Sequence, residues 1–292
     1  MVKSEEQRIS SRTNLRGMAG LVSSVLAGAC IVFALPPYSI LPLGMVAFAV
    51  LSLLLRDAAP MRALGLGYLF GLGQFVPGLF WVTESFQVDA DRFGWLALPA
   101  VLGLAAVLSV FPALACTLSA RMARAGLPLA LSLATSWTGL EWLRGHVLTG
   151  FPWNLAAYTL ADWLPFAQVA SLVGSYGLGF LLVLCSALVG LAFRAPARRL
   201  QVIRFASATA IAVIVAGFGA ARLTLSDPPS ERGAHIRVVQ PNIAQSAKWD
   251  EGSRKANILR LLSLSARPGD YDILLWPETA WPGFLAEDTG AR

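Results

Sequence analysis

Long apolar runs separated by short polar loops dominate the first 225 residues of the sequence. A hydrocarbon core about 30 Å thick needs roughly 20 apolar residues in a helix to cross it. Seven segments come near that length or exceed it: Gly17–Leu35, Ser39–Leu55, Ala63–Val82, Phe93–Ser119, Leu127–Leu143, Pro165–Phe193 and Val202–Leu225. The pattern predicts a multispanning α-helical membrane domain of about seven spans over residues 17–225, after a polar tail over residues 1–16.

Three of these segments depart from a simple span. The fourth and sixth are longer than a bilayer requires, so we expect them to tilt or to project from it. Pro42 and Gly44 disfavour a helix at the start of the second segment.

Basic residues are distributed unequally between the loops. Alternate loops on one side carry twelve Lys and Arg residues, whereas the other side carries only Arg92 and Arg144 before the last span ends. The twelve are Lys3, Arg8, Arg12, Arg16, Arg56, Arg62, Arg121, Arg124, Arg194, Arg198, Arg199 and Arg204. Because cytoplasmic loops carry the excess of positive charge, we predict a cytoplasmic N-terminus and, after an odd number of spans, a C-terminal part on the opposite side.

The pattern changes at Ser226–Gly233 (SDPPSERG), a stretch rich in proline and charge. The elements predicted after it are a strand at His235–Ile243, a helix capped by Asp250 or Ser253 and ending near Ala266, and a strand at Tyr271–Trp276. The second strand is apolar enough to be buried on both faces. Strand, helix and strand form a βαβ unit, the beginning of an α/β domain over residues 226–292 that we expect to be incomplete.

Composition supports a membrane protein and narrows the chemistry. Hydrophobic residues make up 56% of the chain and charged residues 14%, against about 25% charged in soluble domains. The net charge of +6 comes from dispersed loop residues, so we predict no nucleic-acid partner. Neither histidine has a partner at metal-ligand spacing, and Cys30, Cys116 and Cys185 lie inside apolar runs. The sequence therefore predicts no metal and no cofactor.

The glycine-rich run Gly65–Gly73 (GLGYLFGLG) resembles a phosphate-binding loop only in composition. It lies within an apolar segment and follows no predicted strand. Gly67 and Gly71 have the small-xxx-small spacing of closely packed membrane helices. We therefore interpret the run as a helix-packing surface.

Two groups of residues could carry chemistry outside the cytoplasm. In Glu141–Asn154 (EWLRGHVLTGFPWN), Glu141 and Arg144 lie three residues apart near a membrane boundary. They are either an intrahelical ion pair whose ends extend to water or a functional site, since ionisable residues at membrane depth are often functional. The turn Phe151-Pro152-Trp153 is by itself typical of an interfacial aromatic belt.

The second group is Asp272–Pro282 (DILLWPETAWP), which contains Glu278. A carboxylate directly after a buried parallel strand lies at the carboxyl end of the sheet, where α/β proteins place their sites. Apolar surroundings there would suit a general base. A solvated loop glutamate is the alternative that the pattern leaves open.

The order of these features resembles the bacterial apolipoprotein N-acyltransferases. The shared pattern is the multiple spans, the GFPW turn, Gln240–Asp250 (QPNIAQSAKWD) and Leu274–Pro282 (LLWPETAWP), and it covers essentially the whole chain. That family joins a membrane domain to a periplasmic nitrilase-like (αββα) domain. It transfers an acyl chain from a phospholipid, typically phosphatidylethanolamine, to the α-amino group of the S-diacylglyceryl cysteine that begins a lipoprotein.

The resemblance implies roles for individual residues. It assigns Glu278 as the general base of a Glu-Lys-Cys triad and Trp249 to a loop that controls access of the lipid substrates. With both lipid substrates in the outer leaflet, we expect Phe151 and Trp153 to contact them. The family's lysine and nucleophilic cysteine belong to downstream motifs that this sequence lacks. The resemblance therefore implies a C-terminally truncated chain that is inactive alone.

The partners implied by the resemblance are a phospholipid acyl donor, a diacylated apolipoprotein acceptor and membrane lipid, at the bacterial inner membrane with the C-terminal part in the periplasm. One alternative is a multispanning transporter or scaffold with a small external domain, but the chain lacks the two matching halves typical of transporters. Another is a nitrilase-like amidase, for which so many spans would be superfluous.

Overall fold

The structure is a computed structural model that describes residues 2–225, 233–248, 250–278 and 280–281, with side chains described from residue 17 onward except at 245 and 246. Two compact units are present. The first comprises Met1–Phe80 and Leu102–Ser226, and the second comprises Trp81–Val101 and Asp227–Arg292.

Helices account for most of the described chain. The α-helices are α1 (Val2–Ala34), α2 (Leu41–Leu55), α3 (Pro60–Gly78), α4 (Ala90–Phe93), α5 (Ala97–Leu108), α6 (Val110–Met122), α7 (Gly126–Arg144), α8 (Leu164–Ala167), α9 (Ala170–Ala192), α10 (Arg198–Leu225), α11 (Gln245–Lys248) and α12 (Glu251–Ser265). The 3₁₀ helices are Phe80–Gln87, Gly94–Leu96 and Ala156–Leu160, and the strands are β1 (Ile236–Val238) and β2 (Ile273–Leu275).

Each of the seven predicted spans is helical along most of its length. Within the described part of the chain, four helical stretches are long and apolar enough to cross a membrane: Gly17–Ala34, Ala90–Met122, Ala170–Ala192 and Arg198–Leu225. A fifth candidate combines α3 with the 3₁₀ helix that follows it. The chain is therefore mostly helical with four or five candidate spans, and the count of seven stays a prediction.

Two expectations about individual segments need correction. Pro42 does not disrupt the second segment, because α2 begins at Leu41 and places the proline in its first turn, where the missing N–H is not needed. The sixth segment is not one continuous helix. Gly174, with φ 67° and ψ −179°, interrupts α9, and this break accounts for part of the excess length.

Glycines let α3 pack closely against helices on two sides. A Cβ added at Gly67 would lie 2.5 Å from a carbonyl oxygen of α6, one added at Gly71 would lie 2.8 Å from the Cα of the N-cap residue of α6, and one added at Gly73 would lie 2.1 Å from a carbonyl oxygen of α1. A real Cβ atom essentially never comes as close to another atom as in these three contacts. The helix-packing interpretation of the glycine-rich run is confirmed.

The basic loops gather at one end of the first unit. The Arg56 guanidinium donates to the carbonyl of Arg194, and the Asp57 N–H donates to the carbonyl of Arg124 over 2.9 Å. Arg204 donates to a carbonyl in the last turn of α9 over 2.6 Å. Loops that the sequence separates widely thus form a single basic end, as the charge pattern predicted.

The loops with little positive charge meet at the opposite end of the first unit, where α2 begins. Trp163 donates its indole N–H to the carbonyl of Ser39, just before α2, over 3.2 Å. Asn154 donates to the carbonyl of Gly78, at the end of α3, over 3.2 Å. This end carries the aromatic turn identified in the sequence.

The second unit contains the predicted βαβ arrangement. Strands β1 and β2 are parallel, with Ile236 opposite Ile273, and α12 lies between them in sequence. Asp250 is the N-cap of α12, and its carboxylate accepts hydrogen bonds from the N–H (2.9 Å) and hydroxyl (2.6 Å) of Ser253. The structure thus has a βαβ arrangement with Asp250 as the cap of its helix, and β1 is much shorter than the predicted strand.

Burial of β2 on both faces is wrong for this structure. Ile273 and Leu275 are 43% and 46% exposed, and the β1 residues Ile236 and Val238 are also exposed. All four lie on one face, because alternate residues of a strand point to the same side and the two strands pair in this register. One helix, with Leu261 fully buried, can cover only the other face of a two-stranded sheet.

Candidate functional site

Glu141 and Arg144 end α7 inside the protein. They are only 5% and 2% exposed, and the Arg144 Nη2 lies 3.9 Å from the Glu141 Oε1. The interpretation that both side chains extend to water is therefore wrong. A buried ion pair needs further hydrogen bonds to offset the desolvation of both charges, and the following loop supplies them.

Arg144 holds the aromatic turn by its backbone oxygens. Its Nη1 donates to the carbonyl of Phe151 over 3.0 Å and to the carbonyl of Trp153 over 2.6 Å. The N–H of Phe151 donates in return to the carbonyl of Arg144 over 2.9 Å. The guanidinium also lies 5.0 Å from the centre of the Phe75 ring, within the range of a cation–π contact. A single side chain thus joins α7, α3 and the turn.

Glu141 holds the far end of the same loop. Its Oε1 accepts a hydrogen bond from the N–H of Ala156 over 2.9 Å. Between the two charged anchors, the Gln74 amide donates to the carbonyl of Asn154 over 2.9 Å. Each of these three anchoring side chains is buried, so the helices fix the loop at several points.

Sequence reasoning did not identify Gln74, Phe75 or Asn154. Gln74 gave a usable signal, because a polar residue within an apolar helix needs a hydrogen-bond partner when it is buried. Phe75 gave none, since one aromatic residue among many apolar ones carries no positional information. The contact partners are far apart in sequence and only the packing of α3 on the α7 loop brings them together.

The anchored turn leaves its tryptophan ring exposed and its phenylalanine ring partly buried. Trp153 is 52% exposed, Phe151 is partly buried, and their ring centres are 6.4 Å apart. Gly150 allows the turn, because its φ is 76° and a Cβ there would lie 2.3 Å from the carbonyl oxygen of Gly145. The two residues predicted to contact lipid are therefore together on one rigid element.

Glu278 lies at a second location, in the other unit. It lines a cavity of about 120 Å³ together with Gln240, Asn242 and Lys248. The lining loops follow β1 and β2 directly, so the cavity is at the carboxyl end of the parallel strands, where α/β proteins bind ligands. Glu278 thus follows β2 at the carboxyl end of the strand pair, and its role as a general base stays a prediction.

The surroundings of Glu278 in the described chain are mixed, with polar and apolar residues around the cavity. Glu278 itself is exposed, and four of the other residues around the cavity have amide or ammonium side chains. Lys248 lines the same cavity. Trp249 lies outside the described residues.

Asp250, which follows Trp249 in the sequence, has a lowered pKa. The hydroxyl and backbone N–H of Ser253 donate to the Asp250 carboxylate and hold its pKa below the usual range. A carboxylate that is ionised at the N-terminus of α12 also interacts favourably with the helix dipole. This cap fixes the position at which α12 begins.

The cysteines all belong to the first unit. Cys116 and Cys185 are buried on α6 and α9, and Cys30 is partly buried on α1. Among the residues described around the cavity there is no thiol. The arrangement at Glu278 therefore has a carboxylate that could accept a proton, without a sulfur nucleophile from the described chain.

Comparison with known proteins gives a consistent result. A profile of the apolipoprotein N-acyltransferase N-terminal domain matches residues 27–188. The chain is 41% identical over 283 residues to the apolipoprotein N-acyltransferase of Bradyrhizobium diazoefficiens, covering 92% of this chain and 53% of that protein. It is 38% identical to the protein of that name from Caulobacter vibrioides (97% and 54%) and 36% identical to that from Rhodopseudomonas palustris (94% and 54%). The chain thus spans about half the length of these relatives.

Proposed function

The chain belongs to the apolipoprotein N-acyltransferase family, and we propose that it provides the membrane domain and the general-base region of such an enzyme. The reaction moves an acyl chain from a phospholipid, with phosphatidylethanolamine as the expected donor, to the α-amino group of the S-diacylglyceryl cysteine of an apolipoprotein. The observation that carries the proposal is Glu278, placed at the carboxyl end of the parallel strands beside a cavity.

In the proposed mechanism Glu278 accepts a proton twice. It first takes the proton of a thiol, whose thiolate attacks the acyl carbonyl of the phospholipid and forms a thioester, and it returns that proton to the lysophospholipid alcohol as the alcohol leaves. The α-amino group of the acceptor then attacks the thioester, Glu278 takes a proton from the amine, and the thiolate leaves. The Lys and Cys of the Glu-Lys-Cys triad belong to family motifs that this chain does not match, so we propose that the chain alone is inactive.

Lipid substrates are proposed to reach the enzyme beside the anchored aromatic turn. Trp153 is half exposed, and the turn lies at the end of the first unit opposite the basic loops. Indole rings are favoured at the level of lipid headgroups. Phe151 and Trp153 would therefore bind the headgroup region of a phospholipid or the lipid part of the acceptor, and Trp249 would lie on the loop that controls access.

The proposed location is the bacterial inner membrane, with a cytoplasmic N-terminus and the region after residue 226 in the periplasm. The gathering of basic loops at one end of the first unit supports this orientation. The parallel βαβ unit supports the proposal that residues 226–292 begin an αββα nitrilase-like domain.

A fusion enzyme provides the test. The chain is joined to the remaining C-terminal part of one of the relatives named above, and transfer of a labelled acyl chain from phosphatidylethanolamine to a diacylated lipopeptide is measured. Because a positioned general base contributes about 10²–10⁴-fold in rate, Glu278→Gln should lose at least about 100-fold.

The matched control is Glu251→Gln, a change of an exposed glutamate in the first turn of α12, which should leave turnover almost unaltered. Full activity of the Glu278→Gln fusion would refute the general-base role. A phospholipid-derived thioester on Cys30, Cys116 or Cys185 of the unfused chain would refute the proposed inactivity.

A further inference from the structure

A separate apolar crevice lies in the first unit, among α2, α8, α9 and α10. Its volume is about 90 Å³. The side chains that form most of its wall are Leu41, Met45, Phe166, Leu182, Ile211 and Val215. None of these residues belongs to the anchored turn or to the Glu278 cavity, so the crevice has no part in the function proposed above.

The crevice exists because α10 contacts its neighbours on both sides of it along the helix axis. Below it, the Cys185 thiol on α9 lies 3.8 Å from the carbonyl oxygen of Ala208 on α10. Above it, Gly219 of α10 packs against Pro165 of α8 so closely that a Cβ would lie 1.6 Å from the proline carbonyl oxygen. Between the two contacts, the face of α10 that includes Ala212 lines a cavity.

An apolar gap at membrane depth is filled from the bilayer. Atoms that line an empty gap lose dispersion contacts on one side, and both α9 and α10 are candidate membrane spans. Ala212 and Ile211 remain partly exposed on the crevice wall, so the crevice opens to the side. The medium next to such an opening consists of lipid acyl chains.

A basic residue lies at the level where the headgroup of that lipid would be. Arg222 follows Val215 by seven residues on α10, about 10 Å further along the helix axis. Arg222 is exposed, and its Nη1 donates to the hydroxyl of Ser171 over 2.8 Å. The Ser171 contact holds the guanidinium on the side of α10 that faces α9, which is also the side of the crevice.

We propose that this crevice binds a membrane phospholipid, with one acyl chain between α9 and α10 and the phosphate at Arg222. Guanidinium groups form charge-assisted hydrogen bonds with phosphate oxygens, and the wall matches an acyl chain because it is lined by hydrocarbon. The bound lipid is a resident of the fold. Its binding requires no acyl transfer and holds whether or not the proposed reaction occurs.

The test uses the complete 292-residue chain in nanodiscs of phosphatidylethanolamine and phosphatidylglycerol. Phosphatidylethanolamine carrying a diazirine in the middle of one acyl chain is photolysed, and crosslinked peptides are identified by mass spectrometry. Crosslinks should concentrate on the crevice wall, at Leu181–Leu182, Ile211–Ala212 and Val215. Ala212→Trp, which fills the crevice from its rim, should reduce them to the level of other lipid-facing positions.

Two further variants separate the contributions. Val213→Trp places the same indole ring on an exposed face of α10 and should leave the crosslinks on the crevice wall unaltered. Arg222→Gln should lower crosslinking by phosphatidylethanolamine about fivefold, the effect of one basic residue on binding to an anionic group at a membrane surface. It should not alter crosslinking by a diacylglycerol that carries the same diazirine, because that probe has no phosphate.

Three outcomes would overturn the proposal. Crosslinks spread evenly over all lipid-facing helices, or crosslinks that survive Ala212→Trp, would show that the crevice holds no lipid chain. Equal losses for both probes in Arg222→Gln would show that Arg222 does not bind the phosphate. Lipid adducts that are absent from Ile211, Ala212 and Val215 but present at other lipid-facing positions would show that the bilayer does not fill the crevice.

Discussion

Replacement of Arg144 by alanine should release the aromatic turn while the surrounding helices stay folded. The substitution removes the hydrogen bonds to the carbonyls of Phe151 and Trp153. It also leaves the buried Glu141 carboxylate without its cation. The N–H of Ala156 is then the main described group that still stabilises that carboxylate.

The size of the effect follows from these contacts. A hydrogen bond that involves a charged group contributes about 1.5–3 kcal/mol, so two of them give about 3–6 kcal/mol. Breaking a buried ion pair by removing one partner costs about 3–5 kcal/mol. The two estimates describe the same contacts and are not additive. We therefore expect the closed state of the loop to lose about 4 kcal/mol, or roughly a thousandfold in its opening equilibrium.

Hydrogen exchange measures this opening directly. Amides that exchange through local unfolding lose protection in proportion to the change in the opening equilibrium. In the Arg144→Ala chain, peptides covering residues 150–157 should exchange up to about a thousandfold faster, until the loop is fully open. Peptides from the middle of α3 and α6 should keep their protection, because their packing depends on close helix contacts and not on this ion pair.

Two comparisons make the result decisive. Arg144→Lys keeps the charge but has no planar fork to reach two carbonyls, so its loop should exchange at an intermediate rate. Arg92→Ala changes an exposed arginine and should leave the loop protected. Unaltered exchange at 150–157 in a folded Arg144→Ala chain would contradict the anchoring argument. Loss of protection across all helices would show a global and not a local role.

Three further predictions concern packing, capping and orientation. Gly71→Leu should destabilise the membrane domain by about 1–3 kcal/mol, the range for overpacking, whereas Gly65→Leu, which has open space around it, should not, as thermal unfolding in detergent would show. Because the pKa of Asp250 is lowered, its cap stabilises α12 at pH values above the ordinary aspartate pKa, and this stabilisation is lost as the pH falls through the lower folded-state pKa. Asp250→Asn should therefore remove this pH dependence from the amide hydrogen exchange of α12, and an unaltered pH profile would refute the argument. Single cysteines at Ser4 and Ser253 should differ in labelling by an impermeant reagent in intact cells, and labelling of Ser4 alone would reverse the proposed orientation.

Hydrophobic pattern and charge predicted the helical segments and the basic end because both depend on local composition. Apolar runs identify segments that prefer the bilayer, and the prediction does not require knowledge of what each helix contacts. Gly67 and Gly71 were interpretable for the same reason, since their spacing on one helix face is visible in the sequence. The Asp250 cap is equally local, because donor and acceptor lie three residues apart.

Features that depend on distant partners were missed or misjudged. Sequence could not decide whether Glu141 and Arg144 extend to water, because their burial depends on a loop that folds back over α7 and on the packing of α3. Gln74 is separated by 80 residues from the carbonyl it binds. Burial of β2 was overestimated because an apolar strand reveals its preference for burial but not whether a second layer is present to provide it.

The exposure of Glu278 decides how its role can be tested. A general base needs the transferred proton within hydrogen-bond reach, and exclusion of water strengthens electrostatic interactions at the site. In the second unit, the Glu278 carboxylate lies at the carboxyl end of the two parallel strands, and Lys248 lines the same cavity. However, the Glu278 side chain is exposed, and one face of the neighbouring sheet is uncovered. Substituting Glu278 in the chain alone would therefore change little that can be measured. The fusion with a relative's remaining sequence is the context in which loss of activity would report on catalysis, since there the control Glu251→Gln shares every other feature of the protein.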